Sequence, residues 1–203
     1  MFNDKPTIIW DVDDVLNNLT CIWFKNYWLK SHPECLLKYR DMTINPPYKL
    51  LNIELGEYRA SLDSFRLSGV YENMLPTEEV IGWFRLYGEE FRHVVLTAPP
   101  LCATSIAAEW VLRHFGGWVR SYNFVPSKRD GEKIPLYDQT KKEFLSWLGK
   151  GDILVDDNLE NIEAAESLGM KTVLIPQPWN DSRQTLPESL ESLLFLARGV
   201  MRD

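Results

Sequence analysis

Five short apolar runs constrain this chain most: residues 7–10 (TIIW), 93–96 (HVVL), 122–125 (YNFV), 153–155 (ILV) and 172–175 (TVLI). Each is strand-sized and rich in β-branched or aromatic residues. Between most of them the apolar residues fall at helical spacing. The stretch 101–115 carries Ile106, Trp110, Leu112 and Phe115; 141–148 carries Phe144, Leu145 and Leu148. The stretch 159–168 carries Ile162, Ala165 and Leu168 and runs into Gly169, a helix stop. Strands alternating with helices imply an α/β fold: a Rossmann-like parallel sheet flanked by helices on both faces. Its crossovers should be right-handed.

One interval breaks the alternation. Residues 17–75 contain no clear strand. Leu19–Leu29 reads as an aromatic helix ended by His32-Pro33, Asn45-Pro46-Pro47 is a firm break, and Tyr58–Phe65 reads as another helix. So long an excursion between neighbouring strands is a small helical domain rather than a loop. The expected organisation is therefore a core of residues 1–16 and 76–203, with a helical cap over 17–75. A last helix, Leu186–Ala197, should pack back on the core.

In an open parallel sheet, ligands bind beyond the carboxyl ends of the strands, where strand order reverses. After the first strand stand Asp11, Asp13 and Asp14; after the second, Thr97; after the fourth, Asp156 and Asp157. Lys141 and Lys142 precede the helix leading to the fourth strand. Clustered carboxylates repel unless a cation sits among them. Mg²⁺ is the natural one: a hard ion with oxygen ligands and often a phosphate partner. A carboxylate can also attack phosphorus, a second can move the proton, and Thr and Lys can hold phosphoryl oxygens.

Composition narrows the class. The chain has 203 residues and a net charge of −7, which argues against a nucleic-acid polymer as partner. Its three cysteines, Cys21, Cys35 and Cys102, form no CxxC pair, so neither a disulfide framework nor a zinc site is expected. His32, His93 and His114 form no cluster. No leader pattern and no bilayer-length apolar run is visible, so a cytoplasmic protein without a membrane partner is expected.

Asp11-Val12-Asp13-Asp14-Val15 resembles the DxDx(T/V) signature of the haloacid dehalogenase (HAD) superfamily. Thr97 after HVVL, a lysine opening a helix and Asp156-Asp157 after ILV are similar to its remaining motifs, in the family's order. The resemblance covers residues 7–15 and about 93–178. It implies Asp11 as nucleophile and metal ligand, and Asp13 as general acid/base with its backbone carbonyl on the metal. It implies Asp157, assisted by Asp156, as further metal ligands, and Thr97, the Ala98 N–H and Lys141 as phosphate binders. Lys141 is preferred over Lys142, Lys128 and Lys133. Asn161 would brace the metal shell, and Asp14, which departs from a common Gly, would point away.

The insert sits where that family places a C1 cap. The run Tyr71-Glu72-Asn73-Met74-Leu75-Pro76, the VVLTAPP segment, the paired Asp156-Asp157 and Pro178-Trp179-Asn180 resemble the 5′(3′)-deoxyribonucleotidase branch. The expected function is a Mg²⁺-dependent phosphomonoesterase working through an aspartyl phosphate, with a small phosphate ester, a nucleoside monophosphate, as substrate. The rivals are a phosphatase or phosphotransferase for another ester, such as a sugar phosphate, and a non-catalytic Mg²⁺-binding module. Trp23, Phe24, Tyr27, Trp28, Tyr48 and Phe65 could stack on a base. Their helical spacing favours a role in the cap's own core for most.

Overall fold

The computed structural model of the chain describes residues 5–200; the outer ends of the expected core, 1–4 and 201–203, lie outside them. Five parallel strands form one sheet in the order β3-β2-β1-β4-β5. They are β1 Thr7–Trp10, β2 Arg92–Thr97, β3 Val119–Phe124, β4 Ile153–Asp156 and β5 Lys171–Leu174. The helices are α1 Leu19–Trp23, α2 Leu29–Ser31, α3 Leu55–Arg66, α4 Gly69–Glu72, α5 Glu78–Tyr87, α6 Thr104–Phe115, α7 Lys141–Leu148, α8 Leu159–Glu166 and α9 Leu186–Val200. The α/β sheet expected from the sequence is the one observed.

Both faces of the central strands β1, β2 and β4 are largely buried, which explains why they read as unbroken apolar runs. Side chains alternate across a strand. Ile8 and Trp10 therefore pack on one face with Val80, Phe84, Trp110, Phe115 and Leu193. Ile9 turns to the other face with Leu96, Leu154, Phe144, Leu145 and Ala165. Trp10, fully buried, donates its indole N–H to His93 Nδ1 at 3.0 Å, and His93 Nε2 lies 2.8 Å from the Gly88 carbonyl. Both ring nitrogens are thus engaged, and burial lowers the His93 pKa to about 4.

β3 begins three residues earlier than the sequence pattern suggests and stops one residue short of Val125. It is an edge strand whose start, Val119-Arg120-Ser121, mixes polar and apolar residues, so the apolar run marked only its second half. α8 begins as expected but ends at Glu166, and Gly169 takes a left-handed conformation (φ 81°) in the turn that follows.

Between β1 and α5 the chain forms helices and no strand among the described residues. α1 and α2 join through a π-helical segment, Phe24–Trp28, into one rod. This insert has its own apolar cluster of Trp23, Phe24, Trp28, Tyr58, Phe65 and Tyr71, with Leu62 and Met74. Tyr58, Leu62 and Phe65 recur at i, i+4 and i+7 of α3, one face of the helix. No described helix is long and apolar enough to cross a membrane.

Candidate active site

Strand order reverses beside β1. The chain runs outward through β2 and β3 on one side, then returns to place β4 and β5 on the other. The carboxyl ends of β1 and β4 therefore meet at the switch point, where a ligand crevice is expected. A cavity of about 300 Å³ opens there, lined by Asp11, Asp13, Asp14, Thr97, Ala98, Lys141 and Asp157, among others. Asp156 sits behind this floor, fully buried. The structure thus gathers the sequence-derived residues around one space.

The carboxylates of Asp11, Asp156 and Asp157 each offer an oxygen within 4.8 Å of the others. Three hard oxygen donors at this spacing fit a divalent ion such as Mg²⁺. Lys141, buried at the start of α7, places Nζ 2.9 Å from Asp11 Oδ1 and 2.7 Å from Asp156 Oδ2. Burial opposes its charge, but the two carboxylates outweigh burial and hold the ammonium protonated. The neighbouring Lys142 is exposed, and neither Lys128 nor Lys133 lines the cavity.

Burial raises the Asp11 pKa to about 6 against the pull of Lys141, with Asp156 adding to the rise. Burial also lifts the Asp157 carboxyl well above the usual range, reinforced by Asp156 and Asp14. A bound cation would reverse both shifts. Asn161 Nδ2 donates to both Asp156 oxygens, at 3.1 and 3.2 Å. α8 is capped by Asn158, not by either aspartate: its side chain accepts from the Glu160 and Asn161 amides. Asp14 adopts φ 61°, and its carboxylate accepts from the Thr20 backbone and hydroxyl. That carboxylate is committed to the insert.

Asp13 stands apart from the three metal-spaced acids. Its Oδ2 accepts from Arg66 Nη2 at 2.9 Å, and Arg66 Nη1 reaches Asp63 at 3.3 Å. Asp63 in turn accepts two bonds from Arg129, at 2.6 and 2.8 Å. A charge chain therefore runs from the loop after β3, through the insert, to the end of β1: Arg129, Asp63, Arg66, Asp13. On the far side, Trp179 Nε1 donates to Asp157 Oδ2 at 2.8 Å, and Asn180 Nδ2 donates to the Asp157 carbonyl at 2.8 Å. Tyr39 of the insert stands edge-on to Trp179.

Sequence reasoning missed Asp63, Arg66, Ser127 and Arg129. Arg66 is 53 residues from Asp13, and no local pattern marks it. The aromatic candidates for base stacking fall inside the insert: Trp23, Phe24, Trp28 and Phe65 are buried in its cluster. Tyr58 is the aromatic side chain among the cavity-lining residues.

No protein-family model matches the sequence, and no curated protein matches it. Solved structures do. A haloacid dehalogenase-like family hydrolase from Streptococcus pneumoniae is 13% identical, with a TM-score of 0.58 over 95% of this chain and 98% of that one. A candidate β-phosphoglucomutase from Thermotoga maritima is 15% identical, TM-score 0.55, over 94% of this chain and 99% of that one. A candidate HAD hydrolase from Bacillus subtilis, bound to magnesium, is 14% identical, TM-score 0.55, over 95% and 98%. At these identities the likeness is one of fold, and the chain has the HAD-like fold.

Proposed function

We propose that this HAD-like chain is a Mg²⁺-dependent phosphomonoesterase that works through an aspartyl phosphate on Asp11, with residues 17–75 as a cap over a core of 1–16 and 76–203. One observation carries the reading. Asp11, Asp156 and Asp157 converge at the switch point, with Lys141 between two of them and the separate Asp13 carboxylate lining the same cavity.

Asp11, Asp157 and Asp156, with the Asp13 backbone carbonyl, would hold Mg²⁺. Bound there, the ion would neutralise the acids and draw charge from the phosphoryl oxygens. Lys141, the Thr97 hydroxyl and the Ala98 N–H hold those oxygens. An Asp11 oxygen attacks phosphorus while the bond to the ester oxygen breaks, and protonated Asp13 gives its proton to that oxygen. Asp13 then takes a proton from water. The water oxygen bonds to phosphorus, the bond to Asp11 breaks, and phosphate leaves. The insert covers the cavity and limits bulk water.

A nucleoside 5′-monophosphate is the substrate implied by the sequence resemblance. A second reading, another small ester such as a sugar phosphate, is favoured by the burial of the aromatic residues in the insert's cluster. It is also favoured by the similarity in fold to a candidate β-phosphoglucomutase.

The test is phosphate release from a panel of esters with Mg²⁺ and after chelation, alongside Asp11→Asn and Asp13→Asn. Turnover that needs metal and is lost in both variants supports the mechanism. Metal-independent turnover, or turnover surviving Asp11→Asn, refutes it. Mg²⁺ binding without turnover of any ester favours the binding-module alternative.

A further inference from the structure

The cavity has two walls of opposite charge, and the mechanism above uses only one of them. Opposite the acids stands α3, which carries Arg59, Asp63 and Arg66 at i, i+4 and i+7. These three share a face of the helix adjoining the apolar Tyr58-Leu62-Phe65 face. Arg129, from the loop after β3, joins them. Three guanidiniums, those of Arg59, Arg66 and Arg129, line the cavity there.

Two of the three are matched. Arg66 is shared between Asp13 and Asp63, and Arg129 is fixed by Asp63 and by the Ser127 carbonyl and hydroxyl. Among the described residues, Arg59 forms neither an ion pair nor a side-chain hydrogen bond, though it is only half exposed. One positive charge in the wall is left over. Arg66, 8% exposed, also keeps its Nε–H without a partner. A partly desolvated cation without a counter-charge, or a buried N–H without an acceptor, is unfavourable unless a ligand supplies the missing partner.

The space continues past them. Leu55, Arg59 and Arg129 are shared with an outer groove of about 460 Å³, walled on the helix side by Gly56 and Ala60. Exposed Asp130 stands at this groove. Its charge opposes long polyanions but leaves room for one anion at Arg59.

We infer that the phosphate ester carries a second anionic group on its leaving portion, and that Arg59 binds it from α3. This rests on the phosphatase reading above. The transferred phosphate goes to the acidic floor with its metal and Lys141. The second anion, a carboxylate or another phosphate, goes to Arg59, whose planar fork suits either in a bidentate pair. Asp63 is the positioning residue that holds Arg66 and Arg129 to the sides.

Matched pairs of esters test this with Mg²⁺ present: ethyl phosphate against phosphoglycolate, and a nucleoside 5′-monophosphate against its 3′,5′-bisphosphate. The doubly charged member of at least one pair should exceed its partner at least ~10-fold in kcat/KM, mostly through KM. Which pair responds distinguishes carboxylate from phosphate. Arg59→Met should reduce that ratio ~10-fold or more, and Arg59→Lys, which keeps charge without the fork, should retain part of it. Wild-type ratios near one in both pairs overturn the inference, as does a preference that survives Arg59→Met. Binding is read separately, as the rise in melting temperature caused by the same esters on the Asp11→Asn background. If the wild type hydrolyses no ester, the phosphatase reading falls. The melting shifts then decide the inference alone: equal shifts within both pairs reject it, and a double-anion preference lost with Arg59→Met sustains it.

Discussion

The floor of the cavity and the wall facing it differ in charge, in origin and in how they are held. The floor comes from strand ends: Asp11 follows β1, Thr97 closes β2, and Asp156 and Asp157 lie at the end of β4, all nearly inaccessible. The wall comes from a helix of the insert and a loop beyond β3, and its cations are half-buried except Arg66. Strand ends locked in a sheet can fix attacking and metal-binding groups to fractions of an ångström. A helix on an inserted segment can change side chains such as Arg59, which no ion pair ties to the floor among the described residues, without disturbing them. On the proposed function, chemistry would belong to the floor and selection to the wall.

The largest effect should come from the floor. Asp11→Asn should reduce kcat by at least ~10⁴-fold while leaving substrate-induced melting shifts in place. A variant that keeps turnover would show that the floor is not the reactive side. In the wall, Asp63→Asn removes the carboxylate shared by two arginines whose side chains are 9% and 18% exposed. Breaking a largely buried charge network from one side costs about 3–5 kcal/mol. Chemical denaturation should show a loss of that order, and a loss below about 1 kcal/mol would mean the network is only a surface contact.

Trp179 braces Asp157 of the floor from outside the cavity lining. Trp179→Phe keeps the ring and removes the N–H on Asp157, so Mg²⁺ affinity by calorimetry should weaken about 10–100-fold. Equal affinity would show that Asp157 needs no such brace.

The smallest effect lies away from both walls. His93 has a folded pKa of about 4, below the usual value because it is buried. The unfolded chain therefore takes up a proton that the folded chain refuses. The stability this represents is intact above about pH 6.5 and is lost as pH falls towards 4. Between pH 7 and pH 5 the loss should be about 2 kcal/mol. His93→Gln, which keeps one donor and one acceptor, should flatten that part of the profile. An unchanged slope would show that His93 is not its source, and the floor carboxylates, whose folded pKa is raised by burial, would act in the opposite direction.

The floor was legible in the sequence because its residues sit at fixed offsets from apolar runs. Asp11 and Asp13 follow TIIW, Asp156 and Asp157 follow ILV, and Lys141 opens a helix whose apolar spacing is plain. Strand period and helix caps are local, and they survive in a single sequence. The wall was not legible. Arg66 meets Asp13, and Arg129 meets Asp63 across 66 residues, only because the insert folds back over the sheet. Nothing in the local sequence distinguishes Arg59 from a solvated helix residue. The aromatic run of α1 was legible as a helix, but its apolar side chains serve the insert's own cluster. Trp179 stood out in the sequence, yet its bond to Asp157 depends on the turn beyond β5. β3 was half legible, since an edge strand can begin on polar residues.

The place of β1 at the centre of the sheet has a consequence for how the chain reaches this structure. Its hydrogen-bonding partners are β2, paired Ile8 to His93, and β4, paired Ile8 to Ile153. This strand, made before both of its partners, is thus among the last to be closed on both edges. Long-range parallel pairing of this kind is slow, because loop closure precedes its reward. During synthesis, one edge of an apolar strand followed by three aspartates stays unpaired until β4 has been made. The acids that repel one another in the folded site then keep that waiting edge charged and discourage it from joining a neighbouring chain.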